Sequence, residues 1–191
     1  MQQATNTKER IILGIDPGTA VMGYGLVKET GPKIELISLG VVKMDKIDDH
    51  MLKLQRIFEK TVALIDNYKP DCLAIEAPFY GKNIQVMLKL GRAQGVAMAA
   101  ALSRSIEVTE YSPRKIKQAI TGNGNATKEQ VAAMLQNLLS FKETPDFLDA
   151  TDGLAVAVCH SFQRMPTGKS GSKKSYSGWD TFVKDNAKRI V

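Results

Sequence analysis

IILGIDPGTAVMGYGLVK, residues 11–28, is the stretch on which the fold turns. Ile11 to Ile15 is a short apolar run of β type, halted by Asp16 and Pro17, and a second run follows from Gly23 to Lys28. The same grammar returns at CLAIEAP, where Cys72 to Ile75 is halted by Glu76 and then by Pro78. Each acid therefore ends a strand at its C-terminal end. A third acidic segment, FLDATDG at 147–153, sets Asp149 and Asp152 three apart at the front of an Ala/Val-rich helical pattern, so both share one helix face. A capping or solvated role is open to an acid at a helix start. A lone acid closing an apolar strand has little to gain from that. Two carboxylates ~4 Å apart repel by roughly 1 to 4 kcal/mol, so four of them gathered together imply a bound cation. Ligation by oxygen alone suits Mg²⁺ or Mn²⁺ and not zinc.

Outward from these segments, the pattern predicts a third strand at Ile34 to Lys43, joined to the second by a hairpin at Glu29 to Lys33. Asp48 or Asp49 caps a helix from His50 to Tyr68, which Pro70 ends. After the strand at Cys72 to Glu76, a helix is expected from Asn83 to Arg104 and a short strand from Ile106 to Thr109. Ser112 with Pro113 opens another helix. TGNGNA is a loop, and Thr127 with Gln130 forms a capping box for a helix to Ser140. The last helix starts near Pro145. Three antiparallel strands followed by alternating helices and strands describe an α/β protein, a mixed sheet flanked by helices.

The chain has 191 residues, a net charge of +6 and two cysteines. That length is about one domain. Three regions are expected: a polar N-terminal extension over 1–10, a folded domain over 11–163, and a basic tail over 164–191. The tail holds seven Lys/Arg against Asp180 and Asp185, a net of +5, and its Ser/Gly/Lys-rich composition predicts disorder. The body is thus nearly neutral, and a polyanionic partner must be met by local patches. Cys72 and Cys159 sit among apolar neighbours and read as buried free thiols rather than a disulfide framework. The N-terminus lacks an apolar signal region, and no apolar run approaches the ~20 residues of a membrane span. A cytoplasmic protein with no membrane partner is the expectation.

Five segments taken together resemble the RuvC family, the bacterial Holliday junction resolvases: GIDPGTAVMGYGLV at 14–27, AIEAPFYGKN at 74–83, LKLGRAQGVA at 88–97, EYSPRKIKQAITGNGNATKEQV at 110–131 and DATDGLAVAVCH at 149–160. Met22 and Gly153 depart from the usual family pattern, where Thr and Ala are common; neither is a metal ligand. The resemblance implies a ribonuclease-H-like fold and a homodimeric crossover junction endodeoxyribonuclease. It implies two Mg²⁺ ions per active site, with Mn²⁺ as an alternative, held by Asp16, Glu76, Asp149 and Asp152. Paired symmetric nicks in strands of like polarity, leaving 5′-phosphates, would follow, with the branch-migration complex RuvA–RuvB as partner in recombination and repair.

The resemblance also gives Lys117 and Lys128 a place at the scissile phosphate, where a surface lysine would otherwise be solvated. Phe79, with Tyr80 beside it, is implied to stack on an unpaired base near the branch, although an aromatic there also reads as core. Lys82, Arg92 and Arg114 are further candidate DNA contacts. Gly91, Gly95, Ala97 and Ala99 to Ala101 give the helix after Asn83 a small-residue character that suits either packing on the sheet or a two-fold dimer contact. His50 and His160 read as a surface and a packed histidine, with no catalytic part. Three other readings are narrower. The Gly-rich turn after Asp16 would suit an actin-like ATPase, but such proteins need two domains and about twice this length. A junction-binding scaffold would not need four carboxylates. A nuclease for RNA hybrids would differ in substrate preference alone.

Overall fold

The computed structural model describes residues 9–78, 81, 83–141 and 147–164. The expectations for Phe79, Tyr80, Lys82, residues 1–8 and the tail from 165 lie outside the described residues. The elements run β1 (Glu9–Asp16), β2 (Val21–Thr30), β3 (Lys33–Lys43), α1 (His50–Tyr68), β4 (Cys72–Glu76), α2 (Ile84–Leu102), β5 (Glu107–Tyr111), α3 (Pro113–Thr121), α4 (Lys128–Leu139) and α5 (Phe147–Arg164). The sheet order is β3-β2-β1-β4-β5. β1, β2 and β3 are antiparallel neighbours, whereas β4 runs parallel to β1 and to β5. The expected mixed sheet is therefore present.

Strand alternation sorts the side chains into two cores, one on each face of the sheet. Ile12, Cys72 and Ala74 point to the face covered by α3, α4 and α5, with Val27, Ile116, Leu135 and Leu154. Leu13, Ile15, Leu73 and Ile75 point to the opposite face, with Ile57, Leu64, Ala93 and Ala97 of α1 and α2. Each fully buried Leu or Ile stabilises by about 1.5–3 kcal/mol relative to exposure. Between Leu26 and Val27 the β2–β3 register shifts, leaving Ile37 of β3 unpaired, 38% exposed, as the extra residue of a bulge.

Helix ends follow the local chemistry. Asp49, the second of the two candidate caps, accepts from Met51 N at 2.6 Å and Leu52 N at 3.2 Å. Ser112 accepts from Lys115 N, and Thr127 and Gln130 form the reciprocal capping box. Several bounds differ from the sequence expectation: β2 runs from Val21 to Thr30 rather than Gly23 to Lys28, which leaves a tighter hairpin, and α2 ends at Leu102 rather than Arg104. β1 begins at Glu9, because Glu9 and Arg10, expected in the polar extension, pair with Thr30 and Glu29. β5 runs to Tyr111 rather than Thr109, because Glu110 and Tyr111 continue the ladder opposite Ile75 and Glu76. Both cysteines are free and buried. Among the described residues no helix is long and apolar enough to cross a membrane.

Helix α5 is the central helix. Ala150, Thr151 and Gly153 to Ser161 are all buried, which its Ala/Val-rich sequence permits by presenting small apolar surface on every side. Its first turns lie directly on β2. A Cβ on Gly23 would collide with the Asp149 carbonyl oxygen, and one on Gly153 would collide with the Tyr24 backbone. Glycine at both positions is what lets strand and helix backbones meet.

Candidate active site

The alternation that builds the two cores also aims the strand acids. Ile12, Gly14 and Asp16 share one face of β1, and Cys72, Ala74 and Glu76 share the same face of β4. The parallel register pairs Ile15 with Ile75, so Asp16 and Glu76 are neighbours just beyond the last recorded pair, both toward α5. From that side α5 brings Asp149 and Asp152, seated by the contact of its backbone with Gly23. Four acids separated by up to 136 residues of sequence thus come to one end of the sheet.

They line, with one exception, a cleft of about 730 Å³. Asp16, Glu76 and Asp152 form its acidic floor; Lys117 and Arg114 of α3, Lys128 of α4, Ser112 and Asn125 stand around it. Asp149 is beside the cleft, half exposed, and reaches the group through Lys128. The Lys128 ammonium donates to Asp152 Oδ2 and lies 3.8 Å from Asp149 Oδ1. Asp152 is only 16% exposed at its side chain, against 49% for Asp149.

These surroundings work against ionisation. Burial, then the charges of Asp152 and Asp149, push the Asp16 carboxyl up to about 6, with Lys128 opposing. Glu76 is pushed up to about 8, first by burial and then by Asp16 and Asp152; Lys128 and Lys117 ease it only in part. Asp152 is also raised by burial, although its bond from Lys128 offsets some of the shift. Lys128 is raised: burial disfavours its charge, and the bond and charge of Asp152 outweigh that. As the side chains stand, no three acidic, histidine or cysteine groups among the described residues converge closely enough to hold an ion together. The expected cluster is therefore a set of mutually repelling carboxylates with a lysine ammonium drawn in among them. Its donors fit a hard divalent cation: all are oxygens, and their charged forms lack enough positive charge nearby.

Arg92 is not brought to this cleft. It is exposed on α2, which packs on the other face of the sheet. Arg114, a minor candidate from sequence, does line the cleft. Ser112 and Asn125, in sequence a cap and a loop residue, line it too; the Asn-rich TGNGNA loop next to a lysine-bearing helix start is the signal the sequence carries.

A ribonuclease-H-like sheet carrying acids at the ends of β1 and β4 and on the helix across from them is the architecture of a phosphodiester-cutting nuclease. The family model for "Crossover junction endodeoxyribonuclease RuvC" matches residues 12–160. RuvC of Christiangramia forsetii is 62% identical over 95% of this chain and 93% of its own length, and that of Bacteroides fragilis is 57% identical over 96% and 97%. Among solved structures, Thermus thermophilus RuvC in complex with a Holliday junction substrate superposes with a TM-score of 0.74, 32% identity, and coverage of 81% of this chain and 94% of that one. The yeast mitochondrial resolvase Ydc2, at 13% identity and TM-score 0.60, shares the fold. The chain belongs to the RuvC family.

Proposed function

We propose that this protein resolves Holliday junctions as a Mg²⁺-dependent endonuclease, nicking two strands of like polarity symmetrically and leaving 5′-phosphates. The observation that carries this reading is the cleft itself: Asp16, Glu76 and Asp152 form its floor, Asp149 stands at its side, and basic residues of α3 and α4 form its wall. Asp16, Glu76, Asp149 and Asp152 would hold two divalent cations, Mg²⁺ or Mn²⁺. Bound there, the cations would supply Lewis-acid activation of a water and charge stabilisation at the leaving 3′ oxygen.

The chain's own residues do the rest. Lys117 and Arg114 face the cleft from α3 and offset phosphate charge. Lys128, which here donates to Asp152, would be available to the scissile phosphate once freed from that bond. Phe79, with Tyr80, sits just beyond Glu76 in sequence and would stack on a base at the opened branch, a contact worth about 1–3 kcal/mol. Lys82 and Arg92 would meet the DNA backbone away from the cleft. The basic tail, 164–191, would tether DNA nonspecifically. Six to ten phosphate contacts would cost about 10³ to 10⁵ in affinity between 50 and 200 mM salt.

Paired nicks require two active sites, and a homodimer supplies them. Support for a dimer through α2 comes from its exposed Ile84, Val86 and Leu88 and from Gly91 and Gly95, whose Cβ positions are open space. The cytoplasm, and partnership with the RuvA–RuvB branch-migration complex, complete the reading. The test is product chemistry on a mobile four-way junction. Two nicked duplexes that DNA ligase seals without prior phosphorylation are expected; unsealable ends, or equal cutting of an RNA–DNA hybrid, would overturn it.

A further inference from the structure

A second buried polar contact ties α5 to the sheet, outside the carboxylate cleft. His160 lies on α5 two turns beyond Asp152 and is 2% exposed. Its Nδ1 is 3.0 Å from the Tyr111 hydroxyl, and its Nε2 is 3.5 Å from Cys72 Sγ. The Tyr111 and His160 rings meet edge-on at 5.8 Å and 78°. Tyr111 is the last residue of β5 and the register partner of Glu76, and its carbonyl accepts from Ala77 N at 2.9 Å. The next residue, Ser112, caps α3, which carries Lys117, and Lys115 of that helix lies 5.0 Å over the Tyr111 ring. One imidazole thus joins α5, which bears Asp149 and Asp152, to the strands and helix that bear Glu76 and Lys117.

Packing alone does not need a histidine here. The surrounding core is largely apolar, and an apolar side chain would fill the space without burying two ring nitrogens. Apolar packing has no direction, whereas a hydrogen-bonded pair fixes both the separation and the angle of the elements it joins. Gly23 against Asp149 seats one end of α5; His160 against Tyr111 fixes the helix about 16 Å further along.

We propose that His160, acting through the Tyr111 hydroxyl, is a positioning residue of the nuclease: together they set the α5 carboxylates against Glu76 and Lys117 in the geometry that binds cations and cuts. The inference rests on the reading of the carboxylates as the cation site. Both residues are buried, and neither lines the cleft.

Three variants of the full chain test it: Tyr111→Phe, His160→Leu, and His160→Asn, whose amide lies close to where Nδ1 does. Thermal denaturation, junction affinity in EDTA, Mn²⁺ affinity by calorimetry, and single-turnover cleavage against Mg²⁺ concentration are read well below each midpoint. Tyr111→Phe and His160→Leu are expected to bind the junction as the wild type does, to require more cation, and to cut about ten-fold more slowly at saturation. His160→Asn is expected to recover most of both losses. Wild-type Mn²⁺ affinity and cation dependence in Tyr111→Phe, or no difference between His160→Asn and His160→Leu, would overturn the proposal. A wild type that binds Mn²⁺ but does not cut would sink the nuclease reading alone, because the calorimetric comparison among variants still decides the positioning.

Discussion

The ammonium of Lys128 is bonded to the Asp152 carboxylate at the floor of the cleft. The sequence offers both residues as parts of one active site, the acid for a cation and the base for a phosphate. The fold pairs them with each other. With Asp149 also 3.8 Å away, Lys128 supplies positive charge where a divalent cation would supply more, so the two compete for the same oxygens. Replacing Lys128 by Met is expected to raise Mn²⁺ affinity by about five-fold, the equivalent of about 1 kcal/mol for one partly exposed charge, while lowering the rate of junction cutting. Calorimetric titration checks the first and a single-turnover assay the second. An unchanged Mn²⁺ affinity would show that Lys128 does not stand in the cation's way.

Stability should depend on pH in the direction opposite to that of ion-paired or hydrogen-bonded carboxylates, whose folded pKa is lowered. Asp16 and Glu76 are raised to about 6 and about 8, so the folded chain keeps protons that the unfolded chain has already released. Across roughly pH 4 to 8 the unfolded state binds fewer protons, and stability falls as pH rises through that window. The loss is complete once pH passes the folded value of Glu76. Divalent cations held by the deprotonated carboxylates, as proposed, would reverse it. Thermal midpoints in EDTA are expected to drop between about pH 5.5 and 8.5, with the gain on adding Mg²⁺ larger at the higher pH. A midpoint in EDTA that rises over this range would contradict the raised carboxyls.

Glu76 is expected to trade stability for activity. Glu76→Gln keeps the volume and removes the charge most opposed by its surroundings. At pH 8 the metal-free variant should be more stable than the wild type by about 1–2 kcal/mol, yet cut junctions at least about 10²-fold more slowly. Denaturant titration and cleavage rates check the two halves separately.

Gly23→Ala tests the seating of α5. The added methyl meets the Asp149 carbonyl, a backbone atom that cannot swing aside. A loss of about 1–3 kcal/mol is expected, together with slower cutting, because the helix that moves carries Asp149 and Asp152. Alanine at Gly91, inside α2 where nothing lies within 4 Å, is the control and should not destabilise the protomer's fold, the helix gaining up to about 1 kcal/mol.

The aim of the strand acids was legible because strand periodicity is local: apolar residues on either side of Asp16 and Glu76 fix which face each takes. Helix caps at Asp49, Ser112 and Thr127 were legible for the same reason. The end of β5 was not, since Glu110 and Tyr111 are polar or amphipathic and become strand only through pairing with β4. Nor was the Lys128–Asp152 pair, 24 residues apart on different helices, or the contact of His160 with Tyr111 and Cys72, which spans up to 88 residues. His160 was legible as buried, and its partners were not, because a hydrogen bond between distant elements leaves no spacing in the chain.

The most direct measurement is cleavage of an end-labelled mobile four-way junction by the wild type and Asp149→Asn, each with Mg²⁺ or EDTA, beside junction binding in EDTA. Symmetric paired nicks that require Mg²⁺ and vanish in the variant, with binding retained, are the predicted result. A wild type that binds the junction without cutting it in Mg²⁺ or Mn²⁺, or an Asp149→Asn variant that cuts as the wild type does, would contradict the assignment of the carboxylates.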